Sequence, residues 1–255
     1  MANATIVPKH IAEAPDDLAS PTDIERISHV AVVTGASAGI GAVYARRLAA
    51  RGFDLILVAR RADRLAALSK EVQDKHGTQV EVVAADLTAS ADLARLEKLV
   101  AADKRITMLV NNAGNAKLAP LAGTSTEDAA SMIALNITAL TRLTQAVLPG
   151  FLARNSGSII NVASVLSLHS LPISSVYSGT KGYVLNFSRG LQAELAGTGV
   201  KVQLVLPATT STESGHHEKW RRHLAHADRP IYILEYSTNG VSLCVTIHPT
   251  SPSRS

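Results

Sequence analysis

Tyr177 and Lys181 stand four residues apart in the run Tyr177-Ser178-Gly179-Thr180-Lys181. On a helix that spacing puts a phenol and an ammonium on one face, a turn apart. A free phenol has a pKa of about 10 and is a poor base at neutral pH. A neighbouring ammonium stabilises the phenolate and draws that value down, each unit being about 1.4 kcal/mol of differential interaction. The pair therefore reads as a proton donor and acceptor. Ser164 lies thirteen residues upstream of Tyr177. Its hydroxyl can hydrogen-bond an oxygen that gains charge during a reaction. Asn136 falls in the middle of a helical pattern. Asn is a poor residue there, because its amide competes for backbone groups.

A second constellation is the turn Gly35-Ala36-Ser37-Ala38-Gly39-Ile40-Gly41. It follows the apolar run His29–Thr34 and precedes a helical pattern from Ala42 to Arg51 that Gly52 stops. Strand, glycine turn and helix open a nucleotide-binding βαβ unit. Glycines there let a pyrophosphate approach a helix N-terminus that a Cβ would block.

These residues need a scaffold, and the pattern around them supplies one. Apolar strand-like runs occupy Asp54–Ala59, 79–84, 106–111, 158–163 and 200–206. Helical patterns fill 61–76, 89–103, 126–153 and 175–196, with a possible bend at Pro149. Six strands alternating with five helices predict an α/β fold, a doubly wound, Rossmann-like parallel sheet covered on both faces. In such folds ligands sit beyond the carboxyl ends of the strands, where strand order reverses. Residues 1–27, with Pro8, Pro15 and Pro21, read as an N-terminal arm; residues 28–214 form the dinucleotide-binding and catalytic domain. Residues 215–255 read as an atypical tail, holding five of the nine His and the lone Trp220 and Cys244. Within it Ile231–Tyr236 and Val241–Ile247 are candidate short strands around a Thr238-Asn239-Gly240 turn, an uncertain seventh strand for the sheet.

Composition narrows the function classes. At 46% apolar residues, the 255-residue chain can bury a sizeable core, built mostly from aliphatic side chains since aromatics make up only 4%. A single Cys excludes an intrachain disulfide and fits a reducing compartment. The net charge of +4 is spread over helices with acids beside the bases, which argues against nucleic acid as a partner. No apolar stretch approaches the ~20 residues of a membrane span. No signal peptide and no metal site are indicated, and the expected location is cytoplasmic.

With Asn111-Asn112-Ala113-Gly114 after the fourth strand, the chain over about residues 29–212 resembles the short-chain dehydrogenase/reductase family. The three residues between Gly35 and Gly39 match that family's glycine spacing. The resemblance implies an oxidoreductase that interconverts a carbonyl and an alcohol by hydride transfer. It makes Tyr177 the acid and base, with Ser164 bonding the substrate oxygen and Lys181 also holding the nicotinamide ribose. To Asn136 it assigns a helix bend and a water for proton relay. It places Gly35, Ser37, Gly39, Ile40 and Gly41 on the pyrophosphate and Asp86 with Leu87 at the adenine. Asn112, Ala113 and Gly114 would pass beside the cofactor, and Pro207 and Thr212 would border the carboxamide. Ala208 stands where the family usually has glycine.

The second strand ends Ala59-Arg60-Arg61, with no acid before Asp63. NAD readers carry an acid at this point, whereas a guanidinium pairs with a 2′-phosphate. Arg60 is therefore assigned to NADP(H). Leu166, Leu168, Leu171, Pro172 and Ile173 suggest an apolar wall for a hydrophobic carbonyl or alcohol substrate, although they also suit a core or an interface. The long helices 126–153 and 175–196 are candidate surfaces for a homodimer or homotetramer. Two other readings stay open: an NADP(H)-binding protein without catalysis, and an interface or scaffold protein of the same fold.

Overall fold

The computed structural model describes residues 29–207 and the backbone of 231–237 and 240–247. The assigned N-terminal arm and Thr212 lie outside the described residues. The strands are β1 (Val30–Thr34), β2 (Asp54–Ala59), β3 (Val80–Ala84), β4 (Ile106–Asn111), β5 (Gly157–Val162), β6 (Val200–Val205), β7 (Ile231–Ser237) and β8 (Gly240–Ile247). The α-helices are α1 (Gly39–Ala49), α2 (Ala62–His76), α3 (Ser90–Ala102), α4 (Thr126–Ile133), α5 (Leu140–Ala153) and α6 (Ser175–Glu194).

All eight strands form one sheet in the order β3-β2-β1-β4-β5-β6-β7-β8. The first six are parallel. All five residues of β1 are buried, which is why its sequence is apolar throughout rather than alternating. Val30 and Val32 belong to the core on one face with Leu93, Leu96, Leu143 and Val147; Ala31 and Val33 belong to the other with Ala45, Leu48, Leu65 and Leu68. Thus α3 and α5 cover one face of the sheet, and α1 and α2 the other. Strand order runs one way from β1 through β2 to β3 and the other way from β4 through β6. The reversal between β1 and β4 marks the carboxyl ends where such sheets bind ligands, and the Gly35 and Asn112 turns begin there.

Two features add to the sequence expectation. Both candidate strands of 231–247 form, β7 in the seventh position of the sheet and β8 as an eighth strand beyond it. β7 runs antiparallel to β6, with Leu204 opposite Tyr236, and β8 runs antiparallel to β7. A short turn can join these two strands because antiparallel neighbours need no crossover. The pattern over 126–153 is broken not at Pro149, which lies inside α5, but at a π-helical turn, Ala134–Ala139. Such turns insert extra backbone into a helix and re-aim its side chains.

Candidate active site

β5 ends at Val162, and the chain turns through Ala163 and Ser164 into a single 3₁₀ turn, Val165–Ser167. The amide of Ala163 donates to Val205 O and that of Val165 to Pro207 O, so the turn is pinned to the end of β6. Ser164 is buried, and its hydroxyl accepts from the amide of Leu166 at 3.2 Å. Ser164 also acts on the phenol of Tyr177, in the first turn of α6, and favours its ionised form. One turn further, Lys181 is only 5% exposed. Its Nζ donates to Val162 O at 2.8 Å and lies 5.9 Å from the centre of the Tyr177 ring. β5, its turn and α6 therefore bring together the serine, the phenol and the ammonium.

The charges of this trio are set by desolvation. Burial pulls Lys181 down to about 8. Burial also holds the Tyr177 phenol above its ordinary value, against a smaller lowering by Ser164. The sequence alone suggested the opposite direction for the phenol. Here the ammonium is turned to the carbonyl of Val162, and loss of water around the ring is the larger cause.

Asn136 occupies the π-helical turn and is 1% exposed. Its Oδ1 accepts from the amide of Asn115 at 3.0 Å, and its Nδ2 donates to Asn115 O at 2.9 Å and to Thr180 Oγ1 at 3.0 Å. An amide that is unfavourable in a helix interior is thus fully engaged with the loop after β4 and with α6.

The glycine turn is stitched to that same loop. Asn112 Nδ2 donates to Thr34 O at 2.8 Å and to Gly35 O at 3.3 Å. Thr34 Oγ1 accepts from the amides of both Asn112 and Ala113 at 3.0 Å. Gly35 has φ +67°, and a Cβ there would meet Asn112 Nδ2 at 2.8 Å. A Cβ on Gly41 would lie 2.4 Å from Gly35 O. These two glycines are thus required first by the chain's own packing. The start of α1 has features that suit an anion. Ala38 offers no side-chain cap, and the first turn carries no acid. The first amides of a helix have no partner within it, and they suit a phosphate.

The two arginines after β2 separate in space. Arg61 Nη2 donates to Ser37 Oγ at 3.1 Å, placing its guanidinium over the glycine turn. Arg60 is exposed, and its charge contributes to holding Asp86 below the usual carboxylate range; the larger cause there is the amide of Thr88. The Asp86 carboxylate accepts from both the amide and the hydroxyl of Thr88. The Leu87 side chain is core. Sequence reasoning chose Arg60 and passed over Arg61; the twin arginines were the signal, but only their directions distinguish them. It also passed over Thr180 and Asn115, which carry no signal beyond standing next to a motif.

The sequence profile of the short chain dehydrogenases matches residues 29–222. The chain belongs to the short chain dehydrogenase family. Among relatives of this family, a very-long-chain 3-oxoacyl-CoA reductase of Danio rerio is 37% identical over 187 residues, 72% of this chain and 60% of that one. The chain spans about 60% of the length of the first curated reductases it matches. Among solved structures, a short-chain dehydrogenase from Sphingobium yanoikuyae in complex with NADPH is 46% identical, with a TM-score of 0.71, over 72% of this chain and 73% of that one. A bulky-bulky ketone specific alcohol dehydrogenase from Comamonas testosteroni is 39% identical with a TM-score of 0.71, over 72% and 74% of the two chains.

Proposed function

We propose that this short chain dehydrogenase is an NADP(H)-dependent oxidoreductase that interconverts a carbonyl and an alcohol. The observation that carries the reading is the ring of Tyr177 5.9 Å from the Nζ of a buried Lys181, with Ser164 acting on the phenol, close to where strand order reverses. The start of α1 accepts the pyrophosphate, and Arg61 with Arg60 takes the 2′-phosphate of NADP(H). NADPH in the similar Sphingobium structure supports that choice. Bound there, the nicotinamide supplies or takes the hydride.

The chain's own residues do the rest. Ser164 holds the substrate oxygen, and Tyr177 gives that oxygen a proton from its Oη. With its pKa raised, the phenol is protonated throughout the neutral range, which is the form reduction needs. Lys181, with a value of about 8, is mostly charged at pH 7 and favours the phenolate left after transfer. Asn136 braces Asn115 and α6, and Asn112 to Gly114 passes beside the cofactor.

The substrate is apolar, bordered by Leu166, Leu168 and Leu171; Leu168 is 48% exposed on the loop after β5. A bulky ketone substrate in the Comamonas relative agrees. Among the described residues no helix is long and apolar enough to cross a membrane. A cytoplasmic site fits a single cysteine. Ile133 and Tyr183, partly exposed apolar side chains on α4 and α6, fit a homodimer or homotetramer built through these helices.

Fluorescence titration with NADPH and NADH, followed by NADPH oxidation against a panel of apolar ketones, tests this reading. Tighter NADPH binding and turnover of at least one ketone are expected. Binding without turnover of any carbonyl or alcohol would reduce the protein to a cofactor binder.

A further inference from the structure

We infer that Thr180 is a positioning residue that orients the amide of Asn136 and ties it to the backbone of Tyr177. The inference rests on the proposed oxidoreductase reading for its effect on rate, but not for its geometry. Thr180 is 2% exposed and lies between Tyr177 and Lys181 on the buried side of α6. A hydroxyl has one proton. That of Thr180 is donated to Tyr177 O at 2.7 Å. Toward Asn136 the hydroxyl can then only accept, so the amide must present Nδ2 to it, as observed at 3.0 Å. Oδ1 is thereby turned the other way, to the amide of Asn115. That is also the side of Lys181: a Cβ built on Gly114 would stand 3.1 Å from Asn136 Oδ1 and 3.5 Å from Lys181 Nζ.

The chain of bonds thus runs from the loop after β4, through Asn136, to the carbonyl of the residue that carries the phenol. Its links span 21 residues from Asn115 to Asn136 and 44 from Asn136 to Thr180. Valine has nearly the shape of threonine but no hydroxyl. Thr180→Val would leave Asn136 Nδ2 facing a methyl group, buried and short of one acceptor. The amide then loses one of three anchors, and its grip on Asn115 loosens.

The test uses the full chain and two readouts. Amide hydrogen exchange at Asn115 should quicken about tenfold in Thr180→Val, the loss of roughly one hydrogen bond's worth of protection, while amides of β1 stay as they are. Thr180→Ser should recover most of the protection. If the valine variant fails to fold, Thr180→Ala takes its place. In turnover, Thr180→Val should lower kcat about tenfold with KM for NADPH within about threefold. In an Asn136→Ala background the same change should cost less than about twofold, since the two act as one unit. Unaltered exchange at Asn115, or an equal loss of kcat with and without Asn136, would overturn the inference. A parent protein that turns over no carbonyl compound refutes the oxidoreductase reading alone, and the exchange measurement still decides the role of Thr180.

Discussion

The guanidinium of Arg61 rests on the hydroxyl of Ser37, 3.1 Å from Nη2 to Oγ, so a charge from the end of β2 lies over the turn that follows β1. The contact crosses 24 residues of sequence and joins the two neighbouring strands that border the expected phosphate site. Arg60, adjacent in sequence, instead acts on Asp86.

Cofactor choice should therefore depend on Arg61 more than on Arg60. A charge-assisted hydrogen bond contributes about 1.5–3 kcal/mol, so Arg61→Ala should weaken NADPH roughly 10- to 150-fold. NADH, lacking the 2′-phosphate, should change by less than about threefold. Titration of both cofactors against Arg60→Ala and Arg61→Ala checks this. A larger loss from Arg60→Ala would move the anion site toward Asp86.

Tyr177→Phe removes the proton donor while keeping the ring. Carbonyl reduction should become undetectable, and NADPH affinity should stay within a few-fold. Retention of more than about a tenth of kcat, a loss below about 1.4 kcal/mol, would exclude the phenol as the acid.

Lys181 makes a prediction about stability against pH. Its value falls from 10.5 to about 8 on folding, because burial penalises the ammonium. Between those values the unfolded chain holds a proton that the folded chain has shed, so stability rises with pH through this window. Below pH 8 the full penalty applies. At about 1.4 kcal/mol per unit, the contribution is roughly 3 kcal/mol. Denaturant unfolding of the cofactor-free protein and of Lys181→Met should show it. The variant's advantage should be greatest at pH 7 and shrink by about that amount by pH 10.5. A pH-independent difference would mean that the ammonium is not desolvated.

The buried amide Asn161 should matter for stability rather than for chemistry. It is fully buried, accepts from Asn111 Nδ2 at 2.9 Å and donates to Ser188 Oγ at 2.9 Å. Asn111 also donates to Thr144 Oγ1, so β4, β5, α5 and α6 share one polar network. Asn161→Leu strands a donor on Asn111 and an acceptor on Ser188, each costing about 1–3 kcal/mol. A fall of roughly 2–4 kcal/mol in urea unfolding is expected; a change below about 0.5 kcal/mol would mean that the network relaxes around the loss.

What acts over a few residues was legible in the chain alone. The apolar runs of β1 and β2 read as strands buried on both faces, because nothing polar interrupts their centres. The positive φ at Gly35, Gly39 and Gly52 matches turns and a helix stop that glycine alone announces. Tyr177 and Lys181 were legible as a pair because one helical turn joins them. Tertiary structure decided the rest. Only packing determines that Arg61 rather than Arg60 reaches Ser37, since adjacent side chains leave a helix start in different directions. Asn136 showed itself as an ill-suited helical residue, but Asn115 and Thr180 come to it from distant sequence and a π-helical turn that no local propensity announces. The expected lowering of the phenol's pKa by Lys181 counted one charge and one distance. The folded protein adds desolvation, which depends on every atom that excludes water from α6, and so the phenol moves up and the ammonium down.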